Sequence, residues 1–143
     1  KIIIGKSSFE ENKYDVLVFC VRNMKSIKFQ ILSKKIRSFA FNGCKKLRNA
    51  EINNDSKLQI IDEYAFTGSS IDKFTIPPHL TKLGEGSFYY CMQLHTFEIA
   101  HILYSELQTI DKDAFYNTSV TSFIIPPHVT EIGEYAFFEC QQL

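Results

Sequence analysis

The chain has 143 residues, 45% of them apolar and 22% charged, enough for one hydrophobic core and too few for two comfortable ones. Its 16 basic side chains equal its 16 acidic ones, so no net field gathers phosphate backbones or anionic lipid, and nucleic acid is not expected as a partner. The longest apolar run, Val16 to Val21, is far short of the roughly 20 residues a membrane-spanning helix needs, so membrane insertion is not expected either.

The chain opens Lys1-Ile2-Ile3-Ile4-Gly5 with no visible signal peptide, which leaves a removed leader or an upstream segment open. Residues 1–35 read as a degenerate repeat or a partial cap. Tyr14-Asp15, Phe19, Met24, Ile27, Phe29 and Ile36 follow the spacing of the later units, but Pro-Pro is missing and Val18 stands where those units carry alanine.

From Ile36 to Leu143 the sequence repeats itself. Phe41, Cys44 and Leu47 form a Phe-x-x-Cys-x-x-Leu unit that returns as Phe88, Cys91 and Leu94 and again as Phe137, Cys140 and Leu143. Between them come shorter units without the cysteine: Ile61-Asp62-Glu63-Tyr64-Ala65-Phe66 followed by Ile71, and Ile110-Asp111-Lys112-Asp113-Ala114-Phe115 followed by Val120. The segments from Ile76-Pro77-Pro78-His79 to Phe88 and from Ile125-Pro126-Pro127-His128 to Phe137 match in length and lie 49 residues apart. Taken as markers, Phe19, Phe41, Phe66, Phe88, Phe115 and Phe137 are separated by 22, 25, 22, 27 and 22 residues, within the leucine-rich-repeat range of roughly 20 to 29.

Within each unit, period-two alternation predicts a short half-buried strand. Leu94 to Ile99 and Val120 to Ile125 are such stretches, with Phe97, Ile99, Phe123 and Ile125 facing inward. The prolines after Ile76 and Ile125 remove backbone donors, so the ladder has to stop there. Thr-x-Leu/Ile-Gly then carries the chain to the opposite wall, where phenylalanine fills the corner. A lone unit cannot cover its own apolar residues, so the units must stack. The last unit stops at Leu143 before its strand and shows no polar capping repeat, so the chain is expected to be a piece of a longer array.

The pattern at Ile125-Pro126, Val129-Thr130, Ile132-Gly133, Ala136-Phe137, Cys140 and Leu143 resembles the BspA-like leucine-rich repeats, a family abundant in bacterial surface proteins and in large protozoan gene families. The expected fold is a mostly β leucine-rich-repeat solenoid over residues 1–143, a right-handed superhelix of short parallel strands with alternating long and short units and few helices. The resemblance implies adhesion at the cell surface or outside the cell.

No residue set predicts catalysis, a metal site or a cofactor. Cys44, Cys91 and Cys140 share one repeat position two units apart. At about 4.8 Å per strand that separation is near 10 Å, beyond the roughly 7 Å Cα limit of a disulfide, so they are expected to be buried free thiols. Cys20 sits in another register, and no zinc-type spacing is present. His79 and His128 read as exposed turn residues, while His95 and His101 have no catalytic neighbour in sequence. Gly84-Glu85-Gly86 lacks the third glycine and the helix of a phosphate loop, and Gly133 repeats it as a turn. Asp62-Glu63 and Asp111-Lys112-Asp113 read as a solvated edge. Asn54 and Asn117 begin glycosylation sequons in predicted turns.

Binding is expected on the strand face, whose outward residues can vary without disturbing the core. By register these are Lys25, Ser26 and Lys28; Arg48, Asn49 and Glu51; Asp72, Lys73 and Thr75; His95, Thr96 and Glu98; and Thr121, Ser122 and Ile124. Their mixed charge and scarcity of aromatics suit a protein or glycan ligand better than a closed small-molecule pocket. The competing expectation is an intracellular scaffold built into a larger assembly, in keeping with free thiols.

Overall fold

The computed structural model describes residues 3–5, 16–19, 25–29, 34–52 and 55–143. Successive coils of the chain contribute a strand to one parallel sheet and then a two-residue strand to another, making a solenoid; the last coil adds only the second. The strand face is built from β3 (Ser26–Phe29), β5 (Asn49–Ile52), β7 (Lys73–Ile76) and β9 (Thr96–Ile99), paired in that order. The opposite wall is built from β4 (Lys35–Ile36), β6 (Ile60–Ile61), β8 (Lys82–Leu83), β10 (Thr109–Ile110) and β11 (Glu131–Ile132), with β2 (Val16–Phe19) beside β4. At the edge of that wall, β1 (Ile3–Gly5) runs antiparallel to β2, whereas every other pairing is parallel.

Alternation in sequence sets which side is buried. In β5 and β7, Ala50, Ile52, Phe74 and Ile76 point into the core, and Asn49, Glu51 and Lys73 point out. The two-residue strands bury Ile36, Ile61, Leu83 and Ile110. Two of these short strands, β8 and β11, form from the Thr-x-Leu/Ile stretch that the sequence suggests only as a crossing.

The corner phenylalanines form one column through the core. Ring centroids are 4.7 Å apart for Phe41 and Phe66, 5.2 Å for Phe66 and Phe88, 5.5 Å for Phe88 and Phe115, and 5.1 Å for Phe115 and Phe137, all stacked nearly parallel. Phe74, Phe97 and Phe123 make a second column, meeting the first edge-on, as between Phe97 and Phe115 at 4.7 Å. Offset stacks and edge contacts are the favoured aromatic arrangements.

The turns are joined by a ladder of their own. Phe66 N–H donates to Ser87 O at 2.8 Å, and two residues to either side Tyr64 N–H donates to Glu85 O and Gly68 N–H to Tyr89 O. The next turn repeats this with Gly86, Phe88 and Tyr90. To aim alternate amides the same way in a curved turn, the residues flanking each phenylalanine at two positions take positive φ: Phe39, Tyr64, Asp113 and Tyr135 before it, and Tyr90, Asn117 and Glu139 after it. Bulky side chains seldom adopt that conformation, and here the ladder hydrogen bonds hold them in it. Gly84 is needed for closeness instead: a Cβ there would lie 2.8 Å from the Asp62 carbonyl carbon.

Three expectations are corrected. Leu17 pairs with Ile36, and Phe41 lies five residues beyond Ile36, so Phe19, only two beyond Leu17, falls within β2 and is not the equivalent of Phe41. Val120 to Ile125 forms no strand: beyond the bond from Thr121 N–H to His95 O at 3.1 Å it makes no backbone bonds to β9. Ile125 is 56% exposed because no further coil of the described chain packs against it, and Phe137 is only partly buried for the same reason. In the longest unit, the extra residues after β9 bulge outward as the short 3-10 helix η1 (Ile102–Tyr104), leaving Leu103 and Tyr104 exposed.

Candidate binding face

Parallel pairing brings the outward residues of successive strands side by side. Lys73 is in register with Thr96, and Thr75 with Glu98. Arg48, Asn49, Glu51, Asp72, Lys73, His95, Glu98, Thr121, Ser122 and Ile124 are exposed, with Thr75 and Thr96 half-exposed. Ser26 lies in β3 with Lys28, but their side chains, like Asn54 and Cys20, fall outside the described residues.

Polar groups on this face bond across strands. Lys73 Nζ lies 2.8 Å from Glu98 Oε2, and Thr75 Oγ1 donates to the same carboxylate at 3.4 Å. The Lys73 hydrogen bond holds the Glu98 carboxyl below the usual carboxylate range. One strand position earlier, His95 Nδ1 sits 3.1 Å from Asp72 Oδ1. The Thr121 hydroxyl beside it donates to the His95 backbone carbonyl at 3.3 Å rather than to the ring. His95 and Asp72 thus form an exposed cross-strand pair, and the hydroxyl beside them bonds to backbone.

Two shallow clefts run along the face. One of about 290 Å³ is lined by Asn49, Glu51, Lys73 and Thr75 over Ala50 and Ile52. The other, about 300 Å³, is lined by Thr75, Glu98, Ser122 and Ile124, with Phe97, Ile99 and the start of the bulge at Ala100 and Ile102 as its apolar floor and wall. Thr75 borders both, so the two lie next to each other on the face.

The remaining singled-out residues take structural places. Cys44, Cys91 and Cys140 are free thiols, the first two buried. Cys91 Sγ donates to Phe66 O at 3.0 Å and Cys140 Sγ to Phe115 O at 3.0 Å, each beside a hydroxyl from the preceding short unit, Ser69 or Thr118. Alternating Cys and Ser/Thr at one repeat position is a signal that aligning short units under long ones would have revealed. Asp62 and Asp111 pair with lysines one coil back, Lys35 at 3.0 Å and Lys82 at 2.8 Å. His79 contacts Glu106 at 3.0 Å, and His128 contacts the Ser105 carbonyl at 2.9 Å. Asn117 is half-buried at positive φ in its turn. Among the described residues, no three His, Cys, Asp or Glu side chains cluster to hold a metal ion, and no helix is long and apolar enough to cross a membrane.

Sequence reading passed over a group of aromatics on the turn side. Tyr89 lies 4.9 Å and Tyr90 5.8 Å from Tyr116, and Tyr116 lies 5.5 Å from Phe138. Tyr90 and Phe138 are exposed.

The profile of a family described as BspA type leucine rich repeat region matches residues 3–143 in six copies. The crystal structure of the pneumococcal vaccine antigen PcpA is 26% identical, covering 80% of this chain and 28% of its own, with a TM-score of 0.76. A leucine rich cell surface protein from Faecalibacterium prausnitzii is 24% identical, covering 98% of this chain and 44% of its own, with a TM-score of 0.61. This chain thus spans less than half the length of either. Among curated proteins, none matches it.

Proposed function

The chain belongs to the BspA-type leucine-rich repeat family, and from that premise we propose that it is a non-enzymatic binding or adhesion module, displayed at the cell surface, whose strand face holds a protein or glycan ligand. The observation that carries this reading is the pair of adjacent clefts on that face, rimmed by polar side chains such as Asn49, Glu51, Lys73, Glu98 and Ser122 that point away from the core. Cross-strand pairs such as Lys73 with Glu98 leave the groups oriented and exposed, which lowers the ordering cost of a polar contact. The likeness to a pneumococcal vaccine antigen supports a place where other molecules are met.

The test has two arms. Protease treatment of intact cells carrying the full-length protein should release peptides from this region. Beads coated with the chain should bind matrix proteins or glycans, and Thr75→Arg with Ser122→Arg should abolish capture while Tyr90→Ser on the turn side leaves it intact. Capture that survives the first pair and is lost with the second overturns the strand-face assignment. A second reading, an intracellular scaffold, draws on the free thiols Cys44, Cys91 and Cys140, and peptides appearing only after lysis would replace the first reading with it.

A further inference from the structure

The zero net charge conceals a division along the solenoid. Up to Lys57 the sequence carries 13 lysines and arginines against 5 carboxylates, and beyond it 3 against 11, so the two parts carry +8 and −8. Where the basic part meets the strand face, Lys25, Lys45, Lys46 and Arg48 surround an open concavity of about 500 Å³, with Asn49 on its wall. All five are exposed. Arg48 N–H donates to Lys25 O at 2.8 Å, so their side chains start from neighbouring rungs, roughly 4.8 Å apart.

Elsewhere three lysines of this protein find a carboxylate one coil away: Lys35 with Asp62, Lys73 with Glu98, Lys82 with Asp111. Among the described residues no carboxylate pairs with Lys25, Lys45, Lys46 or Arg48. Four like charges gathered around one hollow repel one another, and folding gains nothing from placing them together.

We infer that this basin binds a linear anionic polysaccharide, with sulfate or carboxylate groups against the four cations and sugar hydroxyls against the Asn49 amide. The lining residues include no aromatic ring on which bases would stack. They include no apolar side chain to enter a bilayer either. The −8 part of the chain repels a polyanion and so confines it to this end. The inference deepens the strand-face reading by naming a ligand class for its basic end, and rests on it in sharing Arg48 and Asn49.

A heparin-derived dodecasaccharide, titrated by calorimetry into the full chain, tests it. With three to four cations engaged, affinity should fall about 40- to 150-fold between about 50 and about 200 mM salt. The triple variant Lys45→Gln, Lys46→Gln, Arg48→Gln should bind at least about tenfold more weakly with a shallower salt slope, whereas Lys112→Gln should leave binding unchanged. Equal thermal midpoints for all three proteins exclude misfolding as the cause. No binding at low salt, or equal binding by the triple variant, overturns the inference. Tighter binding of duplex DNA or of phosphatidylserine vesicles through the same cations overturns the ligand class. Retention of a matrix protein on the strand face by the triple variant, with no dodecasaccharide binding by the native chain, would sink this inference alone.

Discussion

Cys91 is hydrogen-bonded through its thiol to the carbonyl oxygen of Phe66, one coil back, at 3.0 Å. Burial pushes this thiol up to about 11, so it stays protonated and poorly nucleophilic at neutral pH. At pH 8, iodoacetamide should label the half-exposed Cys140 in the native protein well before Cys91 or Cys44, as mass spectrometry of the digested protein will show. Equal rates at the three sites would mean that the buried position is not maintained in solution.

Ser87 occupies the position held by Ala40, Ala65, Ala114 and Ala136 in the other coils, and its hydroxyl is buried without a hydrogen-bond partner. An unsatisfied buried hydroxyl is costly, and alanine removes it with little change of volume. Ser87→Ala should therefore stabilise the protein by about 1 kcal/mol, seen as a higher midpoint in urea with an unchanged slope. A destabilised variant would show that the hydroxyl has found a partner.

Tyr64 donates a short hydrogen bond to Glu85 on the next coil, and with burial and the Glu85 charge this raises the phenol to about 12. Because the folded value lies above the usual one of about 10, the linked stability is fully present below pH 10 and is lost as pH rises through about 12. The stability difference between the native chain and Tyr64→Phe should thus be constant up to about pH 10 and shrink above it. An absorbance titration should lose its latest-ionising tyrosine in the variant; an unchanged titration would disprove the hydrogen bond to Glu85.

Phe88 is fully buried between Phe66 and Phe115, whereas Phe137 has a ring on one side of its column only. Phe88→Ala should cost about 3–5 kcal/mol, Phe137→Ala clearly less, and Thr96→Ala on the strand face close to nothing. Chemical denaturation of the three variants checks the order, and a Phe137→Ala loss as large as that of Phe88→Ala would contradict it.

The repeat and its corner phenylalanines were legible because a fixed spacing survives in the sequence whatever the turns look like. Outward positions from Arg48 to Glu98 were legible for the same reason, alternation being a local property. Phe19 misled because it matched the spacing while β2 obeys a pairing, Leu17 with Ile36, that spacing cannot reveal. The turn ladder was hidden because Phe39, Tyr64 and Tyr135 are residues from which no one reads positive φ; their conformation is imposed by amides on the adjoining coil. The basic basin was hidden by totals: equal counts of charge say nothing of where the charges lie, and only the coiling brings Lys25 beside Arg48.

The bulge after β9 shows how loosely loop length is tied to the interior. The chain takes 27 residues from Phe88 to Phe115 and 22 from Phe115 to Phe137, yet the rings meet at 5.5 and 5.1 Å. Insertions at that point leave the stack untouched and change only what stands beside the cleft of Thr75, Glu98, Ser122 and Ile124. Surface and interior are in that sense separately editable, and a lineage carrying this architecture can remodel the rim of its clefts by indels without having to solve the folding problem again.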